Sequence, residues 1–353
     1  MPKEIMKFIE IKNFTEDLIS WQRAQGRHHL PWQVNRTAYR VWLSEIMLQQ
    51  TQVSTVVDRY QSFLKRFPNI QVLAGSSVDD VLAEWSGMGY YTRARNLHKC
   101  AQVVVNEYDG NFPNDPLLLE RLPGIGKSTA AAIAVFSYGV RAAILDGNVK
   151  RVLARIWGVG DDLSKSAAVK SLWAHAEQLL PNKSADLVSY TQGLMDFGAT
   201  HCTQYQPVCM RLDKKECLFK NRCQANLSNK VNQIPLKVKK INVQQIEMDW
   251  WIYIYRGKVF LEKRPENGIW ASLWSFPEQN IFNKNDAEKL NSVKHVLTHR
   301  HLKIHPYKIL LSSQPKKIKV DQAWVPLGDA LKLGLPKPVS AFLKSQDLAH
   351  DDA

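Results

Sequence analysis

A chain of 353 residues, 45% hydrophobic and 23% charged, has the composition of an ordinary soluble globular protein and length for two domains. Lysine and arginine number 47 against 33 acids, a net charge of +14, which favours a polyanionic partner over the plainer alternative of a merely soluble basic protein. Met1 to Phe14 lacks the apolar stretch of a signal peptide and no transmembrane run follows, so a cytoplasmic, reducing location is expected. The five cysteines then do not read as disulfides. Cys202, Cys209, Cys217 and Cys223 crowd together as candidate metal or cluster ligands, and Cys100 reads as a buried apolar residue.

From Phe14 to about Gln224 the apolar spacing is helical. Thr51–Phe67 places Val53, Val56, Val57, Tyr60, Leu64 and Phe67 on one face, with Thr51 as its cap and Pro68 as its stop. Similar patterns cover Val78–Trp85, Arg93–Tyr108, Thr129–Tyr138, Val149–Trp157 and Ser166–Leu180, and no sustained alternation interrupts them. Residues 1–224 are therefore expected to be all-α. Residues 225–246, rich in Asn, Lys and Gln with Lys237, Lys239 and Lys240 clustered, read as a linker. Beyond it, Trp250–Tyr255 and Lys258–Glu262 predict strands joined by an Arg256-Gly257 turn. Val296, Lys303–Leu311 and Lys317–Val325 continue the β signal, and Val339–Lys344 predicts a closing helix. Residues 247–345 are thus a small α+β domain, and 346–353 a tail.

Leu122-Pro123-Gly124-Ile125-Gly126 lies between two helical patterns, with Asp115-Pro116 opening the first and Lys127-Ser128-Thr129 the second. Glycines one residue apart permit a tight turn that leaves N–H groups exposed at a helix start, where the helix dipole favours an anion. A plain helix–helix connection is the alternative; in a basic protein, DNA-backbone binding through Leu122, Gly124, Gly126 and Lys127 is the stronger reading. Downstream, Asp146 in Leu145-Asp146-Gly147-Asn148-Val149-Lys150-Arg151-Val152 reads, taken alone, as a helix N-cap.

Together these two motifs resemble the helix-hairpin-helix, or endonuclease III, superfamily of DNA glycosylases. The resemblance implies that Asp146 faces the deoxyribose of a flipped nucleotide and that a monovalent cation assists the hairpin. Bifunctional members carry a lysine nucleophile at the position of Ser128. Here the lysine is Lys127, one residue and about 100° of helix earlier, which argues against a Schiff base and for a monofunctional enzyme.

Leu30-Pro31-Trp32-Gln33 and Val41-Trp42-Leu43-Ser44-Glu45-Ile46-Met47-Leu48-Gln49-Gln50-Thr51 resemble the MutY-type adenine DNA glycosylases. Glu45 is an acid in an apolar segment, where desolvation raises a carboxyl pKa toward the value a general acid needs; a surface carboxylate is the alternative. The resemblance implies that Glu45 protonates adenine N7 and that Asp146 stabilises the oxocarbenium-like sugar, electrostatically or through a transient bond. Asn148 would support Asp146 and the attacking water, and Ser128 completes the set. Trp32, Gln33, Leu48 and Gln192 correspond to the pocket for the flipped purine. Gln50, Thr51 and Tyr90 correspond to the wedge beside the opposite guanine. Gly87-Met88-Gly89-Tyr90-Tyr91 would present Tyr90 from a mobile loop.

The same family spaces four cluster-binding cysteines by six, two and five residues. Here the outer intervals agree, whereas Met210 to Glu216 lengthens the middle one to seven. Closure entropy grows slowly with loop length, so a [4Fe–4S] cluster on Cys202, Cys209, Cys217 and Cys223 stays the leading reading. Zinc on four thiolates and a loop without cofactor are the alternatives. Arg211, Lys214, Lys215, Lys220 and Arg222 would give the loop a basic surface.

Val259–Pro265 and Gly268–Pro277 resemble the Nudix-related domain of the same family, without the acidic Nudix box, so recognition is expected rather than pyrophosphate hydrolysis. Thr298 and His299 stand where the family senses 8-oxoguanine, with Leu297 in place of its aromatic. His295, His299 and His301 read as alternate histidines of one strand face, suited to DNA contact or packing more than to metal. The expectation is an all-α helix-hairpin-helix glycosylase domain with a Cys-ligated cluster loop, followed by a small α+β Nudix-like domain. It would act as a monomer, cytoplasmic and nucleoid-associated, on double-stranded DNA carrying adenine opposite 8-oxoguanine or guanine. A bifunctional pyrimidine-damage glycosylase/lyase and a non-catalytic DNA-binding module are the alternatives.

Overall fold

The computed structural model describes residues 3–211, 216–236, 243–283, 286–315 and 318–347, with side chains from residue 13 to 345. Lys214, Lys215, Lys237, Lys239, Lys240 and the tail from 348 lie outside the described residues.

Helices follow one another as far as the cysteine region, as expected. They are α1 (Lys3–Gln25), α2 (Ala38–Leu48), α3 (Val53–Arg66), α4 (Ile70–Gly75), α5 (Val78–Glu84), α6 (Thr92–Glu107), α7 (Pro116–Glu120), α8 (Lys127–Tyr138), α9 (Gly147–Trp157), α10 (Ser166–Gln178), α11 (Ser184–Thr200) and α12 (Gln224–Leu227). Five begin on a side-chain cap that the sequence displays: Thr37 caps α2, Asn69 α4, Ser77 α5, Asp115 α7 and Asp146 α9. Thr51 is a correction. The N-cap of α3 is Gln52, without a side-chain bond, and the Thr51 hydroxyl instead accepts a 2.9 Å bond from Arg93.

The chain then forms β1 (Gln244–Tyr255), β2 (Lys258–Lys263), β3 (Trp274–Ser275), β4 (Glu288–Lys289), β5 (Val293–Leu297), β6 (Arg300–Leu310) and β7 (Gln322–Pro326), followed by α13 (Leu327–Ala330) and α14 (Lys337–Asp347). The sheet is mixed. Its order is β3-β2-β1-β6-β4, with β5 on β6 and β7 on β2; β1 and β6 run parallel and the other pairs antiparallel. Tyr255 pairs with Lys258 across the expected two-residue turn, whose Arg256 (φ 43°) and Gly257 (φ 71°) both take the positive φ of a type I′ hairpin.

The segment read as a linker is in part ordered. It carries α12, buries Ala225, Val231 and Ile234 in the helical core, and β1 starts at Gln244 rather than Trp250. Lysine and asparagine dominated its composition, and that masked three apolar residues at the right spacing.

Two compact units result, each drawn from two stretches of chain: 1–50 with 103–239, and 51–102 with 240–353. In the first, Trp21, Leu18, Leu153, Leu172, Leu194 and Phe197 lie at the centre of a core formed around α1, α8, α9, α10 and α11. In the second, Trp250, Ile252, Leu261, Phe276, Ile304 and Val339 fill the space between the sheet and α14. The early helices join this second unit through long-range bonds: Tyr91 donates to Leu335 O (2.9 Å), Arg95 to Ala271 O (2.8 Å), and Lys263 pairs with Asp79 (2.7 Å). No helix of the described residues is long and apolar enough to cross a membrane.

Candidate active site and cysteine loop

In the first unit, α2 and the N-terminus of α9 bring Glu45 and Asp146 to one site. Ser44, Ile46 and Met47 are buried around Glu45, and desolvation pushes its carboxyl up to about 8; the Asp146 charge adds to the rise and Arg36 opposes it. Asp146 is the N-cap of α9, its Oδ1 accepting the Val149 N–H at 2.7 Å. Burial raises its pKa too, while the N–H groups of Val149 and Asn148 and the charge of Arg151 hold it down. The two carboxyls therefore share one electrostatic site but not one environment. One is desolvated with a carboxylate and a guanidinium as its charged neighbours, whereas the other sits on helix N–H donors that prefer the anion.

Ser128, on the first turn of α8, accepts the Leu145 N–H at 3.0 Å and so braces the residue before Asp146. Asn148 Oδ1 accepts from Arg151 (2.8 Å), and the same guanidinium donates to Gly198 O (2.7 Å) and Cys202 O (2.8 Å). Lys127 is drawn elsewhere: its Nζ lies 4.0 Å from the centre of the Trp173 ring and 3.4 Å from Glu177. The hairpin itself has the expected form. Gly124 takes φ 78°, Ile125 donates to Leu122 O (3.1 Å), and Gly126 caps α8 with open space where a Cβ would be. The first-turn N–H groups of α8 have no acceptor within their own helix.

Gln33 and Gln192 line one open cleft of about 310 Å³ with Gln22, His28, Arg36 and Ser189. Trp32, buried in the short 3-10 turn Pro31–Gln33, and Leu48, at the end of α2, do not line it. The two amides differ. Gln192 is committed, accepting from Arg36 (3.2 Å) and donating to Asp196 (3.1 Å). Both polar atoms of the Gln33 amide are buried without a partner, which leaves one donor and one acceptor for a ligand. Sequence reasoning missed Arg36, Asp196 and Arg27. Asp196 is fully buried and bridges Arg27 at 2.8 Å. An acid four residues after Gln192 on an apolar helix face was the available signal.

In the second unit, Thr51 and Tyr90 are joined by Arg93, another residue not anticipated. Tyr90 is 46% exposed at φ 48°, and its hydroxyl lies 3.2 Å from the Thr298 hydroxyl. Gln50, in the first unit, is likewise exposed at φ 57°. Thr298 and His299 form the exposed two-residue turn between β5 and β6, where Leu297 pairs with Arg300 and turns toward the core. The histidines do not share one strand face. His295 pairs with Leu302 and packs on Trp270, whereas His301 pairs with Val296 on the opposite face, because residues opposed across antiparallel strands point the same way.

All four clustered cysteines line one small cavity, together with Phe197, Phe219, Ile156 and Val231. The longer middle interval does not separate Cys209 from Cys217, whose thiols hydrogen bond. None of the four is in a disulfide. Arg155, 3% exposed, donates to Cys202 Sγ (3.4 Å), Thr203 O (2.7 Å) and Ile234 O (2.9 Å), so a cation is buried beside the thiols. Among the described residues no three His, Cys, Asp or Glu side chains converge as ligands of one metal ion. Four free thiols, apolar walls and a buried cation fit a multi-iron cluster, which is bulkier than one ion and carries net negative charge with its thiolates.

A hairpin with open N–H groups, followed by a capping aspartate opposite a desolvated glutamate, defines a base-excision glycosylase fold. Residues 43–178 match the HhH-GPD superfamily base excision DNA repair proteins, and residues 249–345 match the NUDIX domain. A thermostable thymine-DNA glycosylase superposes with a TM-score of 0.55 at 28% identity, over 62% of this chain and 97% of its own. An endonuclease III–DNA complex shares the fold at TM-score 0.52 and 19% identity, over 63% and 97%.

The chain belongs to the adenine DNA glycosylase family. The adenine DNA glycosylase of Buchnera aphidicola subsp. Baizongia pistaciae is 38% identical over 94% of this chain and 95% of its own, and that of Buchnera aphidicola subsp. Acyrthosiphon pisum is 37% identical over 94% and 97%. The Homo sapiens adenine DNA glycosylase is 38% identical over 61% of this chain and 40% of its own.

Proposed function

We propose that this protein is a monofunctional base-excision enzyme that hydrolyses the N-glycosidic bond of adenine mispaired with 8-oxoguanine or guanine in double-stranded DNA. The observation that carries the reading is the Glu45–Asp146 pair, one carboxyl raised to about 8 and the other held on helix N–H donors.

At neutral pH Glu45 keeps its proton and delivers it to N7 of the extruded adenine. The C1′–N9 bond breaks with its electron pair moving into the protonated base, and the Asp146 carboxylate faces the positive charge that develops on the sugar. Water adds to C1′ and gives up a proton, leaving adenine and an abasic site. Asn148, held by Arg151, and Ser128, which braces Leu145, keep that carboxylate in place. The unpaired Gln33 amide supplies a donor and an acceptor for the base edge, with Gln192 beside it in the cleft; Trp32 and Leu48 lie outside that cleft and back the elements that form it. Gln50, Thr51, Tyr90, Thr298 and His299 read the opposite strand, and the turn Leu122–Lys127 holds backbone phosphate, aided by a monovalent cation. The protein acts as a monomer in the cytoplasm on nucleoid DNA.

Cys202, Cys209, Cys217 and Cys223 would hold a [4Fe–4S] cluster. It would supply no step of the hydrolysis and would fix the loop that Arg151 and Arg155 tie to α9. Single-turnover adenine release from both mispairs tests the proposal. Glu45→Gln should retain mispair binding and lose most release; unchanged turnover would remove the assigned acid.

A further inference from the structure

In the segment Gly87–Tyr90 the two glycines take positive φ freely, whereas Tyr90 is held in a conformation that costs energy locally. Gly87, Gly89 and Tyr90 take φ of 86°, 67° and 48°, and a bulky residue at positive φ persists only where its surroundings over-determine it. Those surroundings converge on one side chain. Nη2 of the Arg93 guanidinium lies within hydrogen-bond distance of Met88 O (3.1 Å), Gly89 O (3.2 Å) and Thr51 Oγ1 (2.9 Å), its two N–H groups shared among the three. It also lies over two rings, 5.3 Å from Trp85 and 5.5 Å from Tyr90. The Arg93 N–H donates to Tyr90 O (2.8 Å), and the Trp85 indole adds a second donor to Gly89 O (3.2 Å). The segment expected to be a mobile loop is therefore anchored at its base, with the Tyr90 ring left outside.

We propose that Arg93 is the positioning residue that presents Tyr90 to the base stack, an inference that rests on reading Tyr90 as the wedge. A planar guanidinium can lie flat against the Trp85 and Tyr90 rings while one edge nitrogen reaches the carbonyls and the hydroxyl; a lysine ammonium has no flat face to stack. The wedge is then set before DNA arrives, and insertion need not order it. Preorganisation of this kind shows as discrimination between mispaired and matched duplex rather than as general DNA affinity.

The test is a double-mutant cycle of Arg93→Lys and Tyr90→Ala in the full-length protein. The probes are duplexes with adenine opposite 8-oxoguanine, or thymine opposite adenine, and a 2-aminopurine beside the purine that would be wedged. Arg93→Lys should leave matched-duplex affinity unchanged, abolish most of the fluorescence rise on mispair binding, and lower the mispair-to-matched affinity ratio about tenfold. In the Tyr90→Ala background it should cause no further loss. Full fluorescence in Arg93→Lys, or losses that multiply in the double variant, would overturn the positioning role alone. A Tyr90→Ala protein that discriminates as the parent does would overturn the wedge reading, and the Arg93 inference with it. Should Arg93→Lys not fold, Trp85→Phe removes one donor to Gly89 O and keeps the ring. It should lower the same ratio in the same direction, and an unchanged ratio would count against the anchorage.

Discussion

Replacing Glu45 by glutamine should make the protein more stable and nearly inactive, and both effects should depend on pH in a defined way. In the folded protein the Glu45 carboxyl titrates at about 8 against an ordinary 4.5. Between these values the native state holds a proton that the unfolded chain has lost, so stability falls as pH rises. The penalty is absent below about 4.5, reaches on the order of 3 kcal/mol at pH 7, and is complete above 8 at about 5 kcal/mol. Glutamine keeps the shape and does not titrate. The melting temperature of Glu45→Gln should therefore match the parent near pH 4.5 and exceed it by several degrees at pH 8. The catalytic profile carries the opposite sign. Release in the parent should rise as Asp146 ionises and fall as Glu45 loses its proton near pH 8, and the variant should release adenine about 100- to 10,000-fold more slowly. Calorimetry and single-turnover release over pH 5–10 check both. A stability gap that stays constant with pH, or parental activity still flat at pH 9.5, would refute the account of Glu45.

Asp146 both caps α9 and supplies charge, and two substitutions separate these roles. Asparagine should keep the cap and the melting temperature yet lose adenine release, whereas alanine should lose release and about 1 kcal/mol of stability as well. Gln33→Leu should stabilise the fold by about 1–3 kcal/mol, because it removes two buried polar atoms without partners, and should weaken adenine release; denaturant midpoints and single-turnover rates measure the pair. Borohydride should trap no covalent complex with abasic DNA, since Lys127 is drawn to Trp173 and Glu177; a trapped adduct that disappears in Lys127→Gln would show that the lysine reaches the site. Purified protein should contain iron with cysteine-to-metal absorption in the visible, both lost in Cys209→Ser; equimolar zinc without iron would replace the cluster by a four-thiolate zinc site.

Local features were the most legible in the sequence. Asp115-Pro116, Asp146 and Ser77 cap helices as their residue types dictate, and Arg256-Gly257 forms the hairpin turn. Glu45 was recognisable as an acid among Trp42, Leu43, Ile46 and Met47, although helix spacing alone also allowed it a surface position. What sequence could not show was how arginines are spent. Arg36, Arg93, Arg151 and Arg155 each look like one more unit of the excess positive charge, yet each reaches a carbonyl or side chain distant in sequence. Their partners are fixed by tertiary contacts that no local spacing records. Cap strength misled at Thr51 for the same reason, because a distant guanidinium competed for its hydroxyl.

The division into two units gives these details a common logic. Every residue assigned to bond breaking, from Gln33, Glu45 and Ser128 to Asp146, Asn148 and Gln192, falls within 1–50 and 103–239. Of the residues assigned to the opposite strand, Thr51, Tyr90, Thr298 and His299 fall within 51–102 and 240–353, and Gln50 is the last residue of the first unit's opening stretch. The first set carries groups that the fold itself leaves unsatisfied, a desolvated carboxyl and an unpaired amide, so its stability is given up where chemistry needs it. The second carries backbone strain held by a bonded cation, which suits a part that must keep its shape while a stacked base yields. Substitutions at Glu45 and Gln33 should therefore lower rates and raise stability, whereas loosening the second set should erode discrimination before it erodes the rate.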